Sequence, residues 1–513
     1  MHDPHGGIGE REDPAKHAHL GLGLATRVQL HARQFLARRA AMGLTRRDVE
    51  MKSDPMRRKT MAVSAGIAFA LVLCVGAFFW GLFKPAGSIK DSAIIADQDS
   101  EALYVRVGGT LYPVLNLTSA RLIAGQPDNP TRARRSDIDE WPKGQLSGIA
   151  GAPTDLTATK PPTSSWLVCD TVAKTYGQGA PEPVRVTVID GRPDVNEAAH
   201  RKVLGTDDAV LLKYGDDVWL IRDGRRSKVD PTLRPVLLAL GLPEAAMAAA
   251  RPMSQGLFNA IPVGPALTVP VIPGAGGPAG FANAPGPVGT VVSTPQVGGE
   301  TTYSVVLQTG MELIPPVVAR IFENSGQAGS SVLTVAGPKL AALPMVNTLD
   351  VSVYPDHQLN FVDTQSNPST CWWWQRGHGE PRATTKVVSG ASVPIADDEV
   401  AKIVPLVKAD KSGREADGVY FGPDYANYVA STGNDAASST METYWWIAET
   451  GNRFGVDRDQ GTINALGIGT PTVSAPWAVL RLLAPSPELS KSDALVRHDS
   501  LPTDLNPGEL PKS

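Results

Sequence analysis

Twenty-three consecutive residues without a charge, MAVSAGIAFALVLCVGAFFWGLF from Met61 to Phe83, constrain this 513-residue chain more than any other feature. As a helix rising 1.5 Å per residue the run reaches about 35 Å, enough to cross a hydrocarbon core of about 30 Å with some tilt. Lipid offers backbone amides no partner, so an isolated span has to be a continuous helix that satisfies its own hydrogen bonds. A cleaved export signal fits poorly: its apolar core is about 7–15 residues and sits near the start of a chain. Here sixty residues precede the run and Lys84-Pro85 follows it. A helix in the core of a soluble protein rarely stays uncharged over such a length. Arg57, Arg58 and Lys59 stand just before the run, against Lys84 and Lys90 after it, so the positive-inside rule places the N-terminus in the cytoplasm and residues 90–513 outside.

Charge and cysteine usage follow the same division. Lys and Arg number 48 against 52 Asp and Glu, a net of −4 that argues against a general nucleic-acid-binding surface. Residues 1–60 alone carry +5, which leaves −9 for the remainder. Cys74 lies in the span and acts as a small apolar residue. The exported part holds only Cys169 and Cys371, and in an oxidising compartment a disulfide between them is the default, with two free thiols as the alternative. Such a bridge would contribute at most about 5 kcal/mol on the chain-entropy account.

With 50 Gly and 43 Pro the chain is too rich in turns for a compact all-helical enzyme. Four exported segments share one order of apolar strand, tight polar turn, second strand and apolar helix-like stretch: Ala102 to Gly125, Ala209 to Leu242, Thr302 to Asn324 and Thr443 to Ile468. Their turns at Gly108-Gly109, Gly215-Asp216-Asp217, Thr309-Gly310 and Thr450-Gly451-Asn452 carry the residue types that hairpins use for positive φ. A related tail follows each, in QLSGIAGAP, GLFNAIPVGP, KLAALPMVN and ALVRHDSLP.

Cys169 and Cys371 each lie in an aromatic strand, Trp166-Leu167-Val168-Cys169 and Cys371-Trp372-Trp373-Trp374, and a β-rich run follows each, at 184–190 and 385–395. The fold class is therefore α+β: a single N-terminal transmembrane helix, then four β-hairpin/helix repeats around a central β core with pseudo-two-fold symmetry and the disulfide near its axis. The expected organisation is a cytoplasmic segment 1–60, the span 61–83, a first half 92–266, a Gly/Pro-rich connector 267–297, a second half 298–505 and a mobile tail 506–513. Residues 1–20 and the stretch from Ser486 also read as mobile. The connector's VIPGAGGPAGFANAPGPVG (271–289) reads as flexible or polyproline-like.

Chemistry is sparse, and no catalytic residue is expected. No Gly-Lys-Ser/Thr triplet occurs, so a phosphate-cradling P-loop is not written in the chain. His357 and His378 are far apart and the cysteines form no C-x-x-C pair, so no metal site is expected. Asn116-Leu117-Thr118 matches a glycosylation triplet, a pattern frequent by chance. Trp372 to Trp374 and Trp445-Trp446 suit burial in a central sheet, with a contact surface as the rival. From Ala25 to Met42 a helix would gather Val28, Ala32, Phe35, Leu36 and Met42 on one side, with Arg27, Arg33 and Arg38 elsewhere. Such a helix lies on anionic lipid or docks a partner.

The segments ATRVQLHARQFLARRAAMGLTRRDVEM, IIADQDSEALYVRVGGTLYPVLNLTSARLIAG, SSWLVCDTV, PSTCWWW and YFGPDYANYVA resemble the EccB component of the actinobacterial type VII (ESX) secretion membrane complex over nearly the whole chain. The resemblance is strongest to members from the fifth ESX system, associated with PE/PPE substrates. It implies a cytoplasmic helix, one span in the inner membrane, and an elongated periplasmic part of four repeats around a disulfide-containing core. It also implies hexameric complexes with other EccB copies and with the partners EccC, which carries ATPase domains, EccD, EccE and the MycP protease. Some EccB proteins are described as ATPases, so ATP is the one cofactor the resemblance raises. The expected role is a structural subunit; ATP hydrolysis and peptidoglycan binding are the alternatives.

Overall fold

The structure, a computed structural model, describes residues 27–46, 55–82, 89–154, 156–172, 184–326, 332–406, 413–438 and 443–501. It divides into two compact units, Met1–Pro85 and Ala86–Ser513.

Among its described residues the first unit contains two helices. Arg27–Arg46 replaces the expected Ala25–Met42: Ala25 lies outside the described residues, and the helix continues beyond Gly43 with Leu30, Phe35, Leu36, Met42 and Leu44 exposed. Pro55–Leu82 starts ahead of the apolar run, because nothing in Arg57-Arg58-Lys59 breaks a helix and Pro is tolerated in a first turn. It is long and apolar enough to cross a membrane. Met61, Phe69, Val72 and Phe78 are each about two-thirds exposed, apolar side chains on several faces that a lipid environment would cover. Phe83 lies outside the described residues.

The second unit is organised by a seven-stranded sheet. Its inner four strands run in the order Val184–Asp190, Thr163–Val172, Ser369–Gly377, Thr384–Gly390, all antiparallel, so the strands flanking the two cysteines do form one central sheet. Period-two alternation sorts the side chains. Trp166, Val168, Val188, Trp372 and Trp374 pack on one face, and Leu167, Cys169, Ile189, Cys371 and Val388 on the other with Trp373. Val404–Pro405, Gly418–Phe421 and Lys202–Val203 complete the edges.

Four smaller sheets share one wiring. In the first, Ile94–Asp97, Leu103–Val107 and Thr110–Val114 form an antiparallel meander, the helix Leu117–Ala124 follows, and Thr131–Ala133 returns parallel to the first strand. The same sequence of pairings holds for Asp208–Tyr214, Asp217–Arg222, Arg225–Lys228, helix Arg234–Leu240 and Arg251–Pro252. It holds for Val291–Pro295, Thr301–Val306, Met311–Ile314, helix Pro316–Ser325 and Leu333–Thr334. It holds again for Tyr428–Thr432, Tyr444–Ile447, Asn452–Val456, helix Gln460–Leu466 and Val473–Pro476. A hairpin with a helix is therefore too small a description: two further strands belong to each sheet, since a two-stranded ribbon buries too little to stand alone. The expected turn at Gly215-Asp216-Asp217 joins the first and second strands of its sheet, where the other three turns join the second and third.

A short helix follows each returning strand, at Arg135–Asp139, Gln255–Ala260, Gly337–Ala341 and Trp477–Leu480. The chain then runs beside the third strand. Leu111, Arg226 and Met311 donate their amides to the carbonyls of Pro142, Pro262 and Pro344, and in the fourth sheet Ala484–Leu489 pairs with Asn452–Val456. GLFNAIPVGP and KLAALPMVN contain the prolines of two of these contacts, Pro262 and Pro344. In the first sheet the equivalent point is Pro142, ahead of QLSGIAGAP, and in the fourth it is Ala484–Leu489, ahead of ALVRHDSLP.

The sheets associate in pairs. The first packs on the fourth, where Val105, Leu122 and Ile123 meet Phe454, Ile463 and Leu466. The second packs on the third, where Leu211, Leu237 and Leu240 meet Val305, Val318 and Phe322.

Three expectations need correction. The connector 267–297 contains the strand Val291–Pro295, whose partners lie in the following meander. Its Gly/Pro-rich part is held rather than flexible, because Val288 donates its amide to the Gly277 carbonyl and accepts from the Gly276 amide, and Gly280 donates to the Gln308 carbonyl. The stretch from Ser486 is ordered as far as Leu501: Leu489 and Ala494 are fully buried, and Arg497–His498 pairs with Leu146–Ser147 of the first sheet. The tail 506–513 and residues 1–20 lie outside the described residues.

Candidate functional site

The disulfide is the centre from which the second unit is built. Cys169 and Cys371 stand directly opposite each other on neighbouring strands and are joined, with both residues buried. Around them, buried acids fix the outer sheets to the core. Asp170 accepts from the amide and hydroxyl of Ser254 at 2.6 and 2.7 Å. Ser254 in turn caps the helix Gln255–Ala260. Burial, with Asp417 nearby, pushes the Asp170 carboxyl up to about 7. Asp190, fully buried, accepts from the Ala426 amide just before the fourth sheet, and burial holds its carboxyl well above the usual range. Arg201, as deeply buried, pairs with Asp194 at 2.8 Å and Asp397 at 3.1 Å.

Two clefts open where paired sheets meet. The one between the second and third sheets measures about 650 Å³ and includes Asp207, Asp223, Asp350, Asp356 and Arg222. Arg222 pairs with Asp223 at 3.2 Å. Glu312, 2% exposed, shapes its wall by accepting from the amides of Thr348 and Leu349. The cleft between the first and fourth sheets measures about 470 Å³ and includes Thr157, Tyr425, Asn427, Trp446 and Glu449. Asn427 clamps its rim, accepting from the Thr159 amide and donating to the Thr157 carbonyl.

A pair of arginine–aromatic stacks escaped the sequence reading. Arg226, on the third strand of the second sheet, lies 3.9 Å from the ring centre of Phe258 and 5.5 Å from that of Trp219. Arg453, on the third strand of the fourth, lies 5.0 Å from Trp477 and 5.1 Å from Trp445. In both sheets the arginine opposes an isoleucine, Ile221 or Ile447, and the rings come from the second strand and the short helix. Burial lowers the pKa of both guanidiniums. The signal available in the sequence was an arginine two residues after a turn glycine, Gly224 and Gly451, without any hint of the distant ring.

The remaining candidates have structural roles or none. Trp372, Trp374 and Trp446 are buried, as is Asn116, which caps the helix Leu117–Ala124 and donates to the Ile149 carbonyl. His378 contacts the Thr472 carbonyl at 2.6 Å, and His357 is exposed beside Asp207. Among the described residues no group of three His, Cys, Asp or Glu comes together to hold a metal ion.

Comparison with known proteins gives one answer along the whole chain. Residues 22–503 match the family model for "Type VII secretion system ESX-1, transport TM domain B". The chain is 54% identical over 491 residues to the "ESX-5 secretion system ATPase EccB5" of Mycobacterium tuberculosis, covering 96% of this chain and 97% of that one. It superposes on a chain of an intact ESX-5 inner membrane complex with a TM-score of 0.74 at 53% identity, covering 96% and 99% of the two chains. The EccB3 dimer of the ESX-3 core complex is also similar, with a TM-score of 0.69 at 36% identity over 79% of this chain and all of that one.

Proposed function

This chain belongs to the EccB family of type VII secretion systems, and from that membership we propose that it is the membrane-anchored scaffold of an ESX-5-type inner membrane complex. The observation that carries the reading is the joining of one apolar helix to four like-wired sheets closed around a disulfide-crossed core. The N-terminal segment lies in the cytoplasm and the second unit in the periplasm, as the basic flank of the span supports. There it associates with further copies of itself and with EccC, EccD, EccE and MycP in a hexameric assembly that exports substrates such as PE/PPE and Esx proteins.

The four sheets are read as repeats, and the two halves as a duplication about a pseudo-two-fold axis. Two features support this. Association of the first sheet with the fourth and the second with the third fits such an axis, which exchanges first with third and second with fourth and so carries one pair onto the other. Arg226 and Arg453 also occupy matching places in the second and fourth sheets, where the first and third carry Leu111 and Met311.

The relatives' names include the word ATPase. Our reading assigns ATP hydrolysis in the assembly to EccC. Neither cleft is lined by lysine, and the four aspartates of the larger one would repel a polyphosphate. The scaffold role is tested by deleting residues 92–513 while retaining the span: the reading predicts that the membrane complex no longer purifies, and normal assembly and export would refute it. Full-length chain free of EccC, assayed with ATP, tests the alternative, for which saturable turnover abolished by one substitution is required.

A further inference from the structure

Arg251 opens the returning strand of the second sheet and is 5% exposed. Its Nη2 donates to Gln365 Oε1 at 2.7 Å, while Nε and Nη1 are buried without an acceptor. Among the described residues no carboxylate forms an ion pair with it. The neighbouring Asp363 engages the Gln365 amide and the Ser366 hydroxyl instead. A buried guanidinium that Asp363 reaches only through space, with two nitrogens unbonded, is costly, and the still more buried Arg201 has two aspartates in contact. Beside Arg251 is a pit of about 10 Å³, lined also by Asp170, Thr364, Asn367 and Thr370. That is room for one atom-sized guest and too little for sulfate or phosphate.

We propose that Arg251 and this pit bind a single halide ion, chloride in the cell. The ion supplies the contacting acceptor that Arg251 Nε and Nη1 lack, and both oxygens of Asp170 are already engaged by Ser254. Its place has a mechanical meaning. The pit lies between the last strand of the second sheet and the 363–368 loop that feeds the core strand carrying Cys371, so an ion there fastens the first half to the second.

The test uses the full chain in detergent. Thermal unfolding is followed as sodium chloride or bromide rises from about 10 to about 300 mM, against gluconate of equal ionic strength, with a saturable halide-specific rise of about 2 °C expected. Arg251→Gln should abolish the difference between halide and gluconate. Crystals of the unsubstituted chain grown in bromide should show an anomalous peak beside Arg251, a readout that stands even if the variant does not fold. Equal curves in halide and gluconate, or a water in place of bromide, would overturn the proposal.

Discussion

Asp170 is the neighbour of a disulfide cysteine, yet its carboxyl points to the opposite face of the strand and ends on Ser254. Its folded pKa of about 7 stands above the 3.8 of an unhindered carboxyl. The folded chain therefore keeps a proton that the unfolded chain releases. The stabilisation this represents is complete below about pH 4 and is lost as the pH rises to about 7. We expect the urea midpoint to fall between pH 5 and pH 8, and Asp170→Asn to flatten that slope; an unchanged slope would place the proton elsewhere. One residue back, replacing Cys169 and Cys371 together by alanine removes a link across 202 residues. The expected cost is about 2–5 kcal/mol, read as a lower denaturant midpoint without loss of the core sheet's circular dichroism.

Turns show how far local sequence goes. Gly108, Gly215 and Gly451 adopt φ of 60, 62 and 82°, as their hairpins require. The Thr309-Gly310 turn suggests the same conformation, but the φ of Gly310 is not positive: the Pro344 carbonyl passes so close that an added Cβ would lie 2.5 Å from the oxygen. Gly310→Ala should therefore cost about 1–3 kcal/mol through displacement of the 344–346 segment, measurable as a lowered melting temperature. The hairpins and the aromatic core strands were legible because each depends on residues within a few positions. The returning strands were not: Arg251-Pro252 and Leu333-Thr334 are two-residue elements that exist only because a first strand some forty residues earlier offers an edge. The same distance hid the partners of Arg226, Arg453 and Arg251, whose rings and acceptors come from remote segments. Val291–Pro295 was lost inside the connector because its valines follow directly on a Gly/Pro-rich run.

At the scale of the whole second unit, the two halves expected from the sequence are not two domains. The first half contains the first and second sheets, whose apolar partners are the fourth and third, both in the second half. Its core strand Thr163–Val172 likewise needs Ser369–Gly377 along its full length. Separating the halves would expose both sheet interfaces and an open edge of the core together, a loss that hydrogen bonds within either half cannot offset. Residues 92–266 exported alone should accordingly aggregate or be degraded. Fragments 86–275 and 276–501 exported together, cut inside the Gly/Pro-rich connector, should associate, co-purify and form the Cys169–Cys371 bond between fragments. The connector's hold on the third sheet, through the Gly280 amide on Gln308 and the Gly289 amide on Val306, remains within the second fragment, so the cut tests the interlock rather than the third sheet itself. A soluble first fragment with its own sharp unfolding transition would mean that the halves are independent domains and that the cross-half pairing of sheets is dispensable for folding.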